Sequence, residues 1–146
     1  MWKIDTLVTL LKGSERPLIL MGAGAYKAYS QIIAFAEKCQ IPIMTTWNAI
    51  DLIPYNHPLF MGRPGIVAAR STNLIVQDCD LLVSIGARLD PQTIAFNYDK
   101  FAPLAKKVLV DVDVSEARKI PNIDLYFEQD TGKFIEELSS AFVDVE

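Results

Sequence analysis

Apolar residues are laid along this chain in two alternating patterns. The first is short and continuous: Leu18-Ile19-Leu20-Met21, Ile41-Pro42-Ile43-Met44-Thr45, Asp80-Leu81-Leu82-Val83-Ser84-Ile85, Lys107-Val108-Leu109-Val110-Asp111-Val112 and the weaker Ile123-Asp124-Leu125-Tyr126-Phe127. Runs of this kind are expected of strands covered on both faces in a parallel sheet. The second pattern repeats every three or four positions. Ile4, Leu7, Val8 and Leu11 share one face of a helix over residues 4–12, which Gly13 stops. Ile32, Ile33, Phe35 and Ala36 line a second helix that begins after Gly22-Ala23-Gly24-Ala25 and ends near Lys38-Cys39-Gln40. Ile66, Ala69, Asn73 and Val76 point inward from a third over 66–77, and Phe134, Ile135, Leu138 and Phe142 from a closing helix over 131–143. Ser115 is placed to cap a short turn of helix running through Lys119. Strand and helix alternate throughout. That order predicts a single α/β domain over residues 1–146, a doubly wound, mostly parallel sheet with helices on both faces.

Two stretches break the rhythm. Residues 46–65 are irregular, punctuated by Trp47, Pro54, His57, Pro58, Gly62, Pro64 and Gly65, and residues 91–105 are mixed, bracketed by Pro91 and Pro103. A loop as long as the first is usually functional in a compact domain.

Composition narrows the function classes. At 146 residues the chain can bury a real core, and its apolar and charged fractions are those of a soluble globular protein. No apolar run reaches the roughly 20 residues that span a bilayer, and no signal-peptide pattern opens the chain. A cytoplasmic protein without membrane contact is expected. The net charge of −4 and pI near 5.0 argue against a nucleic-acid surface. Cys39 and Cys79 form no close-spaced motif and His57 is the single histidine, so two buried, reduced thiols and no metal site are expected.

The densest candidate chemistry is Gly86-Ala87-Arg88-Leu89-Asp90, which closes the third strand. Ligands of open parallel sheets bind where strands end. Glycine lets a backbone approach them, and the arginine fork suits phosphate. A standard dinucleotide site is not expected at Gly22-Ala23-Gly24. Lys27 stands where the third glycine of G-x-G-x-x-G belongs, and no carboxylate follows the second strand before Asp51. A phosphate at the helix N-terminus after that turn stays compatible with the pattern. Catalytic groupings are not visible. Ser71, Ser84 and Ser115 have only His57 as a base, and His57, between Asn56 and Pro58, reads as structural. Asp111 and Asp113 alternate along a strand and should point to opposite faces.

Taken in order, several of these pieces form a set: Arg16-Pro17 before a strand into Gly22-Ala23-Gly24, Ile41-Pro42-Ile43 with Thr45-Thr46, His57-Pro58-Leu59, Gly62-x-x-Gly65, Asn73, Asp80-Leu81-Leu82, Gly86-Ala87-Arg88-Leu89-Asp90 and Asp111-Val112-Asp113-x-x-Glu116. The set resembles the central domain of thiamine-diphosphate-dependent enzymes of the acetolactate synthase group, from about Arg16 to Lys119 and more loosely beyond. The fold so implied is the Rossmann-like, DHS-like NAD/FAD-binding type. The resemblance implies a three-domain parent, a transferase that decarboxylates and ligates 2-keto acids. Its flanking domains hold thiamine diphosphate and Mg2+ and are partners of this one, usually within a dimer or tetramer. The chain shows neither their G-D-G followed by N-N nor their activating glutamate, so alone it is expected to be inactive, with no catalytic residue and no metal of its own.

In this group the central domain binds FAD, ADP or nothing. The resemblance places FAD contacts at Gly22 and Gly24, and at Thr46, Trp47 and Asn48, of which only the threonine matches the group's Thr-Leu-Met. Gly65, Ile66, Val67 and Ala68 stand for Gly-Met-His-Gly, losing a histidine donor and a glycine. Gly86, Arg88 and Asp90 are kept, with Gln92 in place of an arginine, and Asp111, Val112 and Asp130 complete the series. The departures imply an adenine-nucleotide-like groove with weakened or altered flavin binding, and pyruvate as substrate does not follow. A stand-alone adenine-nucleotide- or CoA-binding module or subunit, and a structural domain with an empty groove, stay open. Trp2, Tyr55 and Tyr126 are candidates for contact with neighbouring domains.

Overall fold

Five strands, β1 (Pro17–Met21), β2 (Ile43–Thr45), β3 (Leu81–Ile85), β4 (Lys106–Asp111) and β5 (Leu125–Glu128), hydrogen-bond in the order β2-β1-β3-β4-β5. All four pairings are parallel. This is a computed structural model, and it describes residues 2–66, 68–94 and 98–143. Among the described residues five α-helices accompany the sheet: α1 (Trp2–Gly13), α2 (Tyr29–Cys39), α3 (Arg70–Asp78), α4 (Val114–Arg118) and α5 (Thr131–Val143).

The continuous apolar runs are explained by two cores, one on each face of the sheet. Successive strand residues point to opposite faces. Ile19 and Met21, with Ile43, Val83, Ile85, Val108 and Val110, meet Leu7 of α1, Ile32 and Phe35 of α2 and Phe134 of α5. Leu18 and Leu20, with Met44, Leu82 and Leu109, meet Val76 of α3, Cys79, Phe101 and Ile120. The α/β expectation holds, and the sheet is wholly rather than mostly parallel.

The third helix is shorter than its pattern. It begins at Arg70, not Ile66, because residue 65 is tied elsewhere. The Asn73 side chain accepts from the Gly65 amide at 3.0 Å and donates to the Gly65 carbonyl at 2.8 Å, while the Ile66 amide donates to Gln92 at 3.1 Å. Asn73 therefore holds a loop instead of filling a core, Ile66 is exposed, and Thr72 and Val76 are the buried residues of α3. The second helix also starts late. A single 3-10 turn over Ala23–Ala25 intervenes before Tyr29. At the end of β4, Asp113 and not Ser115 caps α4, accepting from the Ser115 amide at 2.9 Å. The Asp113 amide in turn donates to the Asp111 carboxylate at 2.9 Å, so the strand ends at Asp111 and Asp113 lies in the turn after it, not on the strand's opposite face. Tyr126 is half-buried, its hydroxyl donating to the Asp111 carbonyl, whereas Trp2 and Tyr55 are exposed. Cys39 is half-buried and Cys79 buried. Val67, one of the expected departures, lies outside the described residues.

The start of β1 is fixed to the start of β3 by one carboxylate. Asp80 accepts from the Ser14 hydroxyl and from the amides of Glu15 at 2.8 Å and Arg16 at 2.9 Å. Burial pushes the Asp80 carboxyl up, but these donors and the Arg16 charge outweigh it and hold the group below its ordinary value. A depressed folded value means that its stabilisation is complete above the unfolded value of about 3.9 and is lost as pH falls through the folded one. Asp80→Asn should cost about 1–2 kcal/mol at neutral pH, with the gap to wild type narrowing steadily below about pH 4. Denaturant midpoints across that range measure it, and a gap independent of pH would contradict the assignment.

Candidate functional site

Parallel register brings four distant segments to one edge. Met21 lies level with Thr45 and with Ile85, and Ile85 with Val110, so the residues that follow each strand emerge side by side. The ladder continues one step past the strands. Gly22 donates to Ile85 at 2.9 Å, Thr46 to Met21 at 3.1 Å and Gly86 to Val110 at 2.9 Å. Strand order reverses between β1 and β3, the place where open parallel sheets leave a crevice. A groove of about 460 Å³ lies there, lined by Ala23, Gly24, Thr46, Trp47, Asn48, Gly86, Arg88, Asp90, Gln92, Thr93, Asp111 and Lys119. That volume is within the roughly 300–1,000 Å³ of ligand sites.

The floor of the groove is a backbone knot. Gly86 has φ +62° and packs on Gly24, whose own amide donates to the Gly86 carbonyl at 2.9 Å. The Ala25 and Tyr26 amides donate to Gly22 and Ala23. These three amides are spent on the turn itself. The helix that follows this turn begins only at Tyr29, so the Gly24, Ala25 and Tyr26 amides belong to the turn and not to a helix N-terminus.

Above the floor, Arg88 and Lys119 meet one carboxylate. Glu116 is buried, its side chain 4% exposed, and it accepts from Arg88 Nε at 3.3 Å and from Lys119 Nζ at 2.9 and 3.0 Å. Asp90 accepts from the Thr93 amide at 2.8 Å and so orders the 91–94 turn. Hydrogen bonds from the Ser115 hydroxyl and amide keep the Asp113 carboxyl below its ordinary range. Trp47 is half-exposed, with the Arg63 guanidinium 4.5 Å from its ring centre, a cation–π contact.

Of the residues expected to contact a cofactor, Gly24, Thr46, Trp47, Asn48, Gly86, Arg88, Asp90 and Asp111 line this one groove. Gly22 lies under it against Ala87. Gly65 and Ile66 sit behind the Gln92 loop, Val112 is exposed beyond β4, and Asp130 accepts from the Lys133 amide at the start of α5. Thr93 and Lys119 of the lining, and the buried Glu116 behind it, are not among the residues expected to contact a cofactor. Glu116 carried the only signal, as the last member of the Asp111-Val112-Asp113-x-x-Glu116 set.

Other reactive groups are engaged structurally. The His57 Nε2 lies 2.8 Å from Glu37, and Nδ1 accepts from the Leu59 amide at 3.1 Å, which pins the 46–65 loop to α2. Burial, and next Asp80, push the Cys79 thiol up to about 11, leaving it unreactive. Among the described residues no three His, Cys, Asp or Glu side chains are grouped to hold a metal ion, and no helix is long and apolar enough to cross a membrane.

Residues 4–138 match the family described as "Thiamine pyrophosphate enzyme, central domain". The chain belongs to this family. It is 34% identical over 135 residues to the acetolactate synthase isozyme 1 large subunit of Escherichia coli strain K12, covering 92% of this chain and 24% of that protein. It is 35% identical over 125 residues to the acetolactate synthase large subunit of Corynebacterium glutamicum, covering 84% of this chain and 20% of the relative. A probable acetolactate synthase large subunit of Methanocaldococcus jannaschii is 31% identical over 146 residues, 99% of this chain and 24% of the relative. The chain therefore spans about a quarter of the length of the curated relatives it matches, as one central domain of a thiamine pyrophosphate enzyme.

Proposed function

We propose that the chain, residues 1–146, acts as the middle of three domains in an acetolactate synthase-like enzyme, a cytoplasmic homo-oligomer that decarboxylates and ligates 2-keto acids. The observation that carries this is the family match over residues 4–138, which falls on about a quarter of acetolactate synthase large subunits. Thiamine diphosphate and Mg2+ belong to the flanking domains and supply the carbanion chemistry there. The role of this chain is to join those domains and to offer the switch-point groove. A free-standing adenine-nucleotide- or CoA-binding module has no comparable support.

The groove suits an adenine nucleoside or nucleotide. Trp47 supplies an aromatic wall, Asn48, Gln92 and Thr93 supply polar edges, and Arg88 and Lys119 supply positive charge. FAD fits it poorly. The Gly24, Ala25 and Tyr26 amides are already bonded within the fold and so are not free for a diphosphate, and Gln92 lines the groove as a neutral side chain. The coding sequence on both sides of this segment tests the domain assignment. A glutamate-bearing domain upstream and G-D-G followed by N-N downstream are expected, and the absence of both would remove the three-domain reading.

A further inference from the structure

We infer that the cavity beside the start of α3 binds an organic monoanion, one carboxylate on an aromatic body, with Arg63 as its counter-ion. This goes beyond the function proposed above and does not rest on it. The cavity measures about 530 Å³ and shares no lining residue with the groove. Among the described residues no acidic side chain lines it, and Arg63 is the charged member of the lining. The start of α3 adds charge of the same sign, since its first turn holds no acid and Ala69 supplies no side-chain cap.

Arg63 is the observation that carries this. It is half-buried, and its Nε is closed off from solvent without a hydrogen-bond partner. Among the described residues no carboxylate pairs with it. Its guanidinium lies 4.5 Å from the Trp47 ring centre, and the ring attracts the charge but offers the N–H groups no oxygen. The Thr72 hydroxyl, on the cavity wall, is spent on the Met61 carbonyl at 2.9 Å. Native folds rarely leave a buried donor unmet, and a missing ion is one of the usual reasons. A carboxylate meets the planar fork with both oxygens at once, through Nε and one terminal nitrogen. Tyr55, Phe60 and Ile75 make the facing wall apolar, so a second negative charge would find no counter-charge there. Tyr55 is 84% exposed and meets Phe60 edge-on at 6.1 Å, an aromatic surface that a ligand ring would take out of water. The site binds without reacting, because His57, the single histidine, is engaged by Glu37 and the Leu59 amide and does not activate Ser71.

Benzoate is the probe, benzamide its neutral counterpart, and inorganic phosphate the control for a bare anion site. Titration of the 146-residue chain is followed by calorimetry and by the nitrogen–proton resonance of Arg63 Nε. Wild type should bind benzoate about 10- to 100-fold more tightly than benzamide, the scale of a charge-assisted hydrogen bond, with the Nε resonance moving along the same isotherm. Phosphate should bind at least about 10-fold more weakly than benzoate, for want of a second counter-charge. Arg63→Gln should bring benzoate and benzamide within about twofold of each other. Arg63→Lys keeps the charge but loses the fork, and should hold benzoate about 3- to 10-fold more weakly than wild type. Tyr55→Ala alters an exposed side chain and should weaken both aromatic probes about threefold. Circular dichroism first establishes that each variant is folded. Benzoate bound no more tightly than benzamide or phosphate, or not at all, would overturn the inference. So would an Nε resonance that stays still, or a preference lost with Arg88→Gln and kept with Arg63→Gln.

Discussion

Gly22→Ala should lower the stability of this domain by about 3 kcal/mol, near the upper end of overpacking costs. A Cβ there would lie 2.3 Å from Ala87 Cα, 2.4 Å from the Gly86 carbonyl oxygen and 2.8 Å from Ala87 Cβ. None of these is the far end of a flexible side chain. Relief requires the ends of β1 and β3 to part, against the Gly22–Ile85 and Gly24–Gly86 hydrogen bonds, both 2.9 Å. The melting temperature should fall by about 6–12 °C at this chain size. Because the same two strand ends form the groove floor, ligand binding should weaken along with stability. Gly13→Ala is the control, since nothing lies within 4 Å of that position, and it should stay within about 0.5 kcal/mol of wild type. Equal melting temperatures for the two variants would refute the close approach.

Phe134→Ala should cost as much or more, about 3–5 kcal/mol. Phe134 is fully buried, and its ring meets Phe127 edge-on with centroids 5.0 Å apart. It fastens α5 to β5 in the core shared with α1 and α2, so deletion leaves a cavity bounded by elements that cannot all move inward. Against a total stability of about 5–15 kcal/mol, this removes between about a fifth and all of the margin. The urea midpoint should drop with the slope unchanged, while Phe134→Leu should recover most of the loss. A loss of stability below about 1 kcal/mol would mean that α5 does not close this core.

The layers were legible because apolar spacing records burial directly. Leu18 to Met21 could be read as a two-faced strand, and Ile4, Leu7, Val8 and Leu11 as one helix face, with no tertiary information. The edge where the groove forms was legible because its markers, Gly86, Arg88 and Asp90, sit at the end of such a run. What local pattern hid was hydrogen bonding across long separations. Asn73 looks like an inward helix position, but its amide is used by Gly65. The Gly22-Ala23-Gly24 turn looks open to a ligand, but the Gly22 and Gly24 amides are bonded to Ile85 and Gly86 of the neighbouring strand end. Glu116 looks like a surface residue of a short helix, and only the fold shows it buried between Arg88 and Lys119.

The central claim is that this chain is one part of a thiamine-dependent enzyme, and turnover measures it most directly. The protein expressed from the complete reading frame, purified and stripped of cofactors, should release CO2 from at least one of a panel of 2-keto acids only when thiamine diphosphate and Mg2+ are both returned. The 146-residue chain alone should release none under the same conditions. Turnover by the complete protein that is indifferent to thiamine diphosphate, or turnover by this chain alone, would contradict the account.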